Sequence, residues 1–131
     1  MPGIQSVIDK IATQKAQELL TKKANEIADD VKELARASIQ EWYDAYSPSS
    51  YRRTYSTFAA STRICNIGKT VAVAGVRIMP SNVPDMYKDG VAYVFPRTFS
   101  QGIHGTTLTG GVTESPESKL NAKFNAYKSS L

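Results

Sequence analysis

The chain predicts an α+β fold, a long N-terminal helix packed on a small antiparallel β-sheet, followed by a Gly-rich loop and a short C-terminal helix. Three observations predict it. From Ile4 to Trp42 apolar residues recur at steps of three and four, the period of a helix with one buried stripe. Beyond residue 56 they alternate or run together, as strands require. Between the two regimes stands Ser47-Pro48-Ser49-Ser50, and residues 42–56 hold four of the seven tyrosines and the only tryptophan.

With 131 residues, 41% of them hydrophobic and 21% charged, the chain suits one domain with a core that needs no disulfide. That domain, 1–131, divides into a helical segment 1–46, a joint 47–56, a sheet segment 57–96, and a flexible loop with the C-terminal helix over 97–131. The single cysteine, Cys65, has no internal disulfide partner. Met1-Pro2-Gly3-Ile4-Gln5 lacks the basic region and apolar run of a secretory leader. No apolar stretch approaches the ~20 residues that cross a bilayer, so no membrane contact is expected.

The helical stripe takes in Ile4, Val7, Ile8, Ile11, Ala12, Ala16, Leu19, Leu20, Ala24, Ile27, Val31, Leu34, Ala35, Ile39 and Trp42. Lys22, Lys23, Glu26, Asp29, Asp30, Lys32, Glu33 and Arg36 fall mostly off it, as a solvated face. Residues 4–46 contain no Pro or Gly, so a continuous helix would run ~60 Å, about twice the diameter of a small domain. Either it bends near Thr13–Lys15 or part of it packs on another chain. Leu20, Ala24, Ile27, Val31 and Leu34 also step as a coiled-coil seam. That seam is short and contains alanine, so packing against the chain's own sheet is preferred. Ser47-Pro48 ends the helix, because the residue before proline is driven out of helical dihedrals.

Ser56–Asn66 reads as a first strand and Asn66-Ile67-Gly68-Lys69 as a hairpin turn. Thr70–Met79 is apolar on both faces, the pattern of a strand covered on both sides, or covered once by its helix and once by a neighbour. After loop signals at Pro80–Asp85 and Asp89-Gly90, Val91–Phe95 reads as a third strand stopped by Pro96. Gly102, Gly105, Gly110 and Gly111 with five Ser/Thr residues then make a long loop over 100–113. Ser115 fits a helix N-cap with Pro116 at the first helical position, and Leu120, Phe124 and Tyr127 share one face of the helix that follows.

Motifs of catalysis are missing. His104 is the only histidine and Cys65 the only cysteine, with no metal-ligand spacing around either. The glycines of 105–111 lack the Gly-Lys-Ser/Thr ending of a phosphate loop. The expectation is a non-enzyme without cofactor or metal. Charge is uneven: residues 1–46 hold six Lys/Arg against eight Asp/Glu, a net −2, and residues 47–131 hold ten against four, a net +6. A basic half can face nucleic acid or an acidic protein. Tyr51, Arg52, Arg53 and Tyr55 concentrate the residue types that dominate protein interfaces, and the same types stack bases and hold phosphates. Tyr51, Arg52, Arg53, Tyr55, Ile103, His104, Leu108, Leu120, Phe124 and Tyr127 are therefore the interface candidates.

The layout resembles the small head–tail joining and tail-completion proteins of tailed bacteriophages. The resemblance rests on Ser47-Pro48-Ser49-Ser50-Tyr51-Arg52-Arg53-Thr54-Tyr55-Ser56 at the joint and Val91-Ala92-Tyr93-Val94-Phe95 as an aromatic strand, within residues 20–105. The chain departs from that pattern in lacking a glycine after the proline, where Tyr-Arg-Arg follows instead. The resemblance implies a virion structural protein: a homo-oligomeric ring, bound to portal, neck or tail proteins, assembled in the host cytoplasm and without enzymatic activity. The alternative is a basic nucleic-acid-binding domain using Tyr51, Arg52, Arg53 and Arg63, and contact with packaged DNA would suit either.

Overall fold

The computed structural model describes residues 3–48, 62–78, 95–105 and 110–131. Helix α1 runs from Ile4 to Asp44, 41 residues, with no break near Thr13–Lys15. Local chemistry supports its continuity. Gln5 bonds Asp9 and Gln40 bonds Asp44, each at 2.9 Å and one turn apart, and Glu33 pairs with Arg36 at 2.9 Å. Each such exposed pair contributes only a few tenths of a kcal/mol. The helix ends where the Ala45 N–H closes onto the Glu41 and Trp42 carbonyls, just before Ser47-Pro48.

The buried side of α1 is Ala24, Ala28, Val31, Ala35, Ser38 and Trp42, with Tyr43 beside Trp42. Steps of four and three hold throughout this set. Most of its members are small, which lets the helix lie close to the hairpin. Ser38 fits there because its hydroxyl donates to the Leu34 carbonyl at 2.7 Å. The buried part begins only at Ala24. Ile4, Val7, Ile8, Ile11 and Leu19 are 48–81% exposed.

Strands β1 (Thr62–Ile67) and β2 (Ala72–Arg77) form one antiparallel hairpin, with Thr62 opposite Arg77 and Ile67 opposite Ala72. The turn lies later than the sequence suggests. Ile67 is still paired, and the Gly68 N–H donates to the Val71 carbonyl at 2.8 Å, so the reversal is made by Lys69 and Thr70. Within the chain β2 is not covered on both faces. Ala72, Ala74 and Val76 are half-buried, while Val73 is 60% and Val71 69% exposed. Of the expected first strand, residues 56–61 lie outside the described residues. So do residues 91–94 of the expected third strand, and Phe95 is helical rather than extended (φ −59°, ψ −52°). It leads into a π-helical turn, Pro96–Ser100, and stacks on Phe99 with centroids 5.1 Å apart.

Helix α2 spans Pro116–Ser129 with the expected cap: the Ser115 hydroxyl accepts from the Ser118 N–H at 3.1 Å, and Pro116 opens the helix. It packs against α1 and touches the π-helical turn. The helix thus lies on its own domain instead of reaching away from it.

Candidate functional site

Three zones of the molecule bear on function, and the first is a hub at the C-terminal end of α1. Gly102 adopts φ +74°, a left-handed conformation that glycine reaches without strain. Its carbonyl accepts from Trp42 Nε1 at 3.3 Å and from the Thr113 N–H at 3.1 Å. A side chain could not replace the hydrogen here, because a Cβ on Gly102 would stand 2.0 Å from the Thr113 carbonyl oxygen. The strands leaving the hub are tied by a bridge between Ile103 and Val112 and by the His104 N–H donating to the Gly111 carbonyl at 2.8 Å. Both ends of the Gly-rich loop are thereby held, in place of the free tether that its composition suggests.

His104 fills the middle of this hub and is fully buried. Its ring lies 4.0 Å from the Trp42 ring at 6° and 4.8 Å from Tyr46 at 30°. Nε2 sits 2.7 Å from Thr113 Oγ1, within hydrogen-bond distance. Offset aromatic contacts of this kind add ~0.5–1.5 kcal/mol beyond burial. The expected interface role for His104 is therefore corrected: the side chain is a core group. Cys65 is elsewhere, in β1 opposite Ala74.

The second zone is the polar seam between α1 and its partners. Arg63 of β1 donates to Asp29 from Nε at 2.7 Å and to the Asn25 side chain and carbonyl from Nη2. Gln17 Nε2 donates to the Gly68 carbonyl at 2.8 Å. On the α2 side, the Tyr127 hydroxyl donates to Asp30 at 2.8 Å, and Glu41 receives Lys123 at 2.7 Å and Lys119 at 3.9 Å. The hydrogen bond from Lys123 holds the Glu41 carboxyl below its ordinary pKa, helped by both lysine charges against a smaller desolvation. Desolvation and the bond to Asp30 push the Tyr127 phenol up to about 12. Asp29 and Asp30, read from sequence as a solvated face, are thus the groups that grip the hairpin and α2. Arg63, a residue of the nucleic-acid alternative, is engaged in that grip.

Of the interface candidates, Ile103 and Leu120 are half-buried, Tyr127 is tied to Asp30, and Phe124 is 37% exposed with Lys128 5.8 Å from its ring centroid. Tyr51, Arg52, Arg53, Tyr55 and Leu108 lie outside the described residues. Among the described residues no group of three or more His, Cys, Asp or Glu is placed to hold a metal, and no helix is long and apolar enough to cross a membrane.

The third zone is the bare first half of α1, whose apolar residues were read from sequence as part of one buried stripe. They are part of the stripe, but the hairpin is too short to reach them. Among the described residues, the first side-chain hydrogen bond from α1 to a distant part of the chain is that of Gln17, to the hairpin turn.

A small α+β protein whose main helix outruns its own core is the class that fold and surface define. The chain belongs to the YomN family, whose model matches residues 4–127. That family makes it a phage-associated protein. Comparison with curated proteins and with solved structures gave no match.

Proposed function

We propose that this phage-associated chain is a virion structural protein, a head–tail connector or tail-completion subunit that acts through oligomeric assembly and not through catalysis. The observation that carries the reading is the uncovered half of α1: Ile4, Val7, Ile8, Ile11 and Leu19 present an apolar stripe to solvent, interrupted by Lys15. Large exposed apolar patches on a folded chain mark contact surfaces. Val71 and Val73 on the hairpin extend the same argument to a second face. The partners under this reading are further copies of the chain and the portal, neck or tail proteins, met in the host cytoplasm and retained in the virion.

Mass spectrometry and electron microscopy of purified particles test it. The chain should be present at a fixed, repeated copy number at one end of the particle or along the tail axis. Particles of normal composition and infectivity made without the chain would overturn the assignment.

A further inference from the structure

We propose that α2 is a strap on an electrostatic latch. It is fixed at its Ser115–Pro116 end and held along the rest by charges that salt screens, so it opens from α1 while the core stays folded. The latch is a property of the isolated chain and does not depend on the virion reading.

The two ends of α2 are held differently. At its start the Thr113 N–H donates to the Gly102 carbonyl at 3.1 Å, Ser115 caps the helix, and Ser115 and Pro116 are both buried. Beyond Pro116, Lys119, Leu120, Lys123 and Tyr127 are half-buried and every other residue of α2 is exposed. Those four recur at helical spacing and form one face, and the partners of Lys119, Lys123 and Tyr127 place that face on α1. Three of the four end in a polar group, and Leu120 alone is apolar to its tip.

Carboxylates of α1 meet this face. Glu41 receives Lys123 at 2.7 Å and Lys119 at 3.9 Å, and Asp30 accepts from the Tyr127 hydroxyl at 2.8 Å. Water and ions reach these groups, since the Lys123 side chain is 31% and that of Glu41 47% exposed. Ion pairs so placed contribute little and weaken as salt rises. Lys119 also pairs with Glu114 at 3.4 Å, a contact beside the fixed end that opening leaves in place.

The core rests on contacts of another kind. Ala24, Ala28, Val31 and Ala35 are buried on α1, and Trp42 and Tyr43 are packed by Ile39, Ile78, Phe95 and Phe99. Apolar burial of this sort is not screened by salt. An element with few buried apolar contacts opens at a lower free energy than the core beside it. Opening uncovers Lys119, Leu120, Lys123 and Tyr127 together, a basic and aromatic face that the closed chain keeps against its own carboxylates.

Hydrogen exchange of the full chain, read by mass spectrometry and corrected for intrinsic rates, tests the latch. Raising NaCl from ~0.1 M to ~1 M shortens the Debye length from ~10 Å to ~3 Å. Protection of residues 119–129 should fall about three- to tenfold, the loss of two or three weak contacts. Protection of residues 24–43 should hold, as should the fluorescence of Trp42, the single tryptophan. Lys123→Glu sets two carboxylates face to face and should produce the same loss already at low salt. Adding Glu41→Lys to that variant should recover part of the protection, because Lys119 keeps its own partner in Glu114. Protection of α2 that ignores salt, or that falls in step with residues 24–43, overturns the proposal. So does a Lys123→Glu chain whose α2 is as protected as the parent's, or a double variant no better protected than Lys123→Glu alone.

Discussion

The imidazole of His104 lies flat on the indole of Trp42, with centroids 4.0 Å apart and planes 6° from parallel. This contact joins the end of α1 to the start of the Gly-rich loop, and both side chains are buried. Trp42→Ala would remove the stack, the Nε1 bond to Gly102 and the seat of Tyr43, Phe95 and Phe99. A loss of ~3–5 kcal/mol is expected, as for other buried aromatic truncations. His104→Phe keeps ring area but leaves Thr113 Oγ1 without its nitrogen partner, so a smaller loss of ~1–3 kcal/mol should follow. Urea unfolding at constant m-value measures both. An unchanged stability in His104→Phe would show that the hydrogen bond contributes nothing.

Gly102→Ala should be worse than its size suggests. The backbone holds φ +74°, and the added methyl would stand 2.0 Å from a backbone oxygen that cannot swing aside. The left-handed conformation alone costs a non-glycine residue ~1–3 kcal/mol, and relieving the clash adds to that. Gly75→Ala is the control, since nothing lies within 4 Å of a Cβ there. Its stability should be unchanged or slightly higher, because alanine restricts the unfolded chain. Thermal unfolding of the two variants side by side separates a required glycine from an incidental one.

The α+β architecture was legible because its signals are local: an uninterrupted helical period in α1, a Gly68 turn, and a Ser115-Pro116 cap. The extent of burial was not. Ile4 and Val31 look alike in sequence, and only the reach of the short hairpin decides that Val31 is covered and Ile4 is not. Ala28 and Ser38, both buried, were missed because neither is conspicuously apolar, although the four-three spacing from Ala24 to Trp42 includes them. His104 was misread as a surface group for the opposite reason. A polar residue in a glycine-rich stretch gives no sign of the distant Trp42 and Tyr46 that enclose it. Asp29 and Asp30 likewise find their partners far along the chain, in Arg63 and Tyr127.

The attachment of α2 should weaken at both ends of the pH scale. The Tyr127 pKa is raised to about 12, so its contact with Asp30 is fully present below the ordinary tyrosine range near ~10 and is lost as pH climbs through the folded value. The Glu41 pKa is lowered, so its contact is present above the ordinary carboxylate range and is lost as pH falls through the depressed value. Hydrogen exchange of α2 amides, corrected for intrinsic rates, should show greatest protection between these limits. Tyr127→Phe should flatten the alkaline arm and Glu41→Gln the acid arm. An unchanged profile in either variant would show that the contact does not hold the helix.

Arg63 clamps the hairpin to α1 through both Asp29 and Asn25. Bonds to a charged group contribute ~1.5–3 kcal/mol when well formed, and partial exposure lowers the value expected here. Arg63→Ala should therefore destabilise by ~1 kcal/mol or somewhat more, and Arg63→Lys should not restore the loss, because lysine lacks the planar fork that reaches both acceptors. The measurement is thermal unfolding at low and high salt. Full rescue by lysine would reduce the clamp to simple charge attraction.

The outer surface of α2 separates folding from assembly through Leu120 and Phe124. Leu120 is half-buried in a helix that lies on α1, whereas Phe124, one turn on, is 37% exposed. Little else in α2 is buried apart from Pro116, so the helix is held by the Glu41 and Asp30 contacts and a narrow apolar strip. Leu120→Ser removes part of that strip and should lower the melting temperature by several degrees, the response of a domain this size to ~1 kcal/mol. Phe124→Ser alters a ring that is only partly covered and should cost less stability than Leu120→Ser, within ~1 kcal/mol. Under the assembly reading the same exposed ring is available to a neighbour, and exposed aromatics are frequent interface anchors. Phe124→Ser should then reduce incorporation into particles while the isolated chain melts as before. A matching fall in melting temperature would place Phe124 with the fold. Normal incorporation of a stably folded Phe124→Ser chain would take α2 out of the assembly surface and leave α1 as its main element.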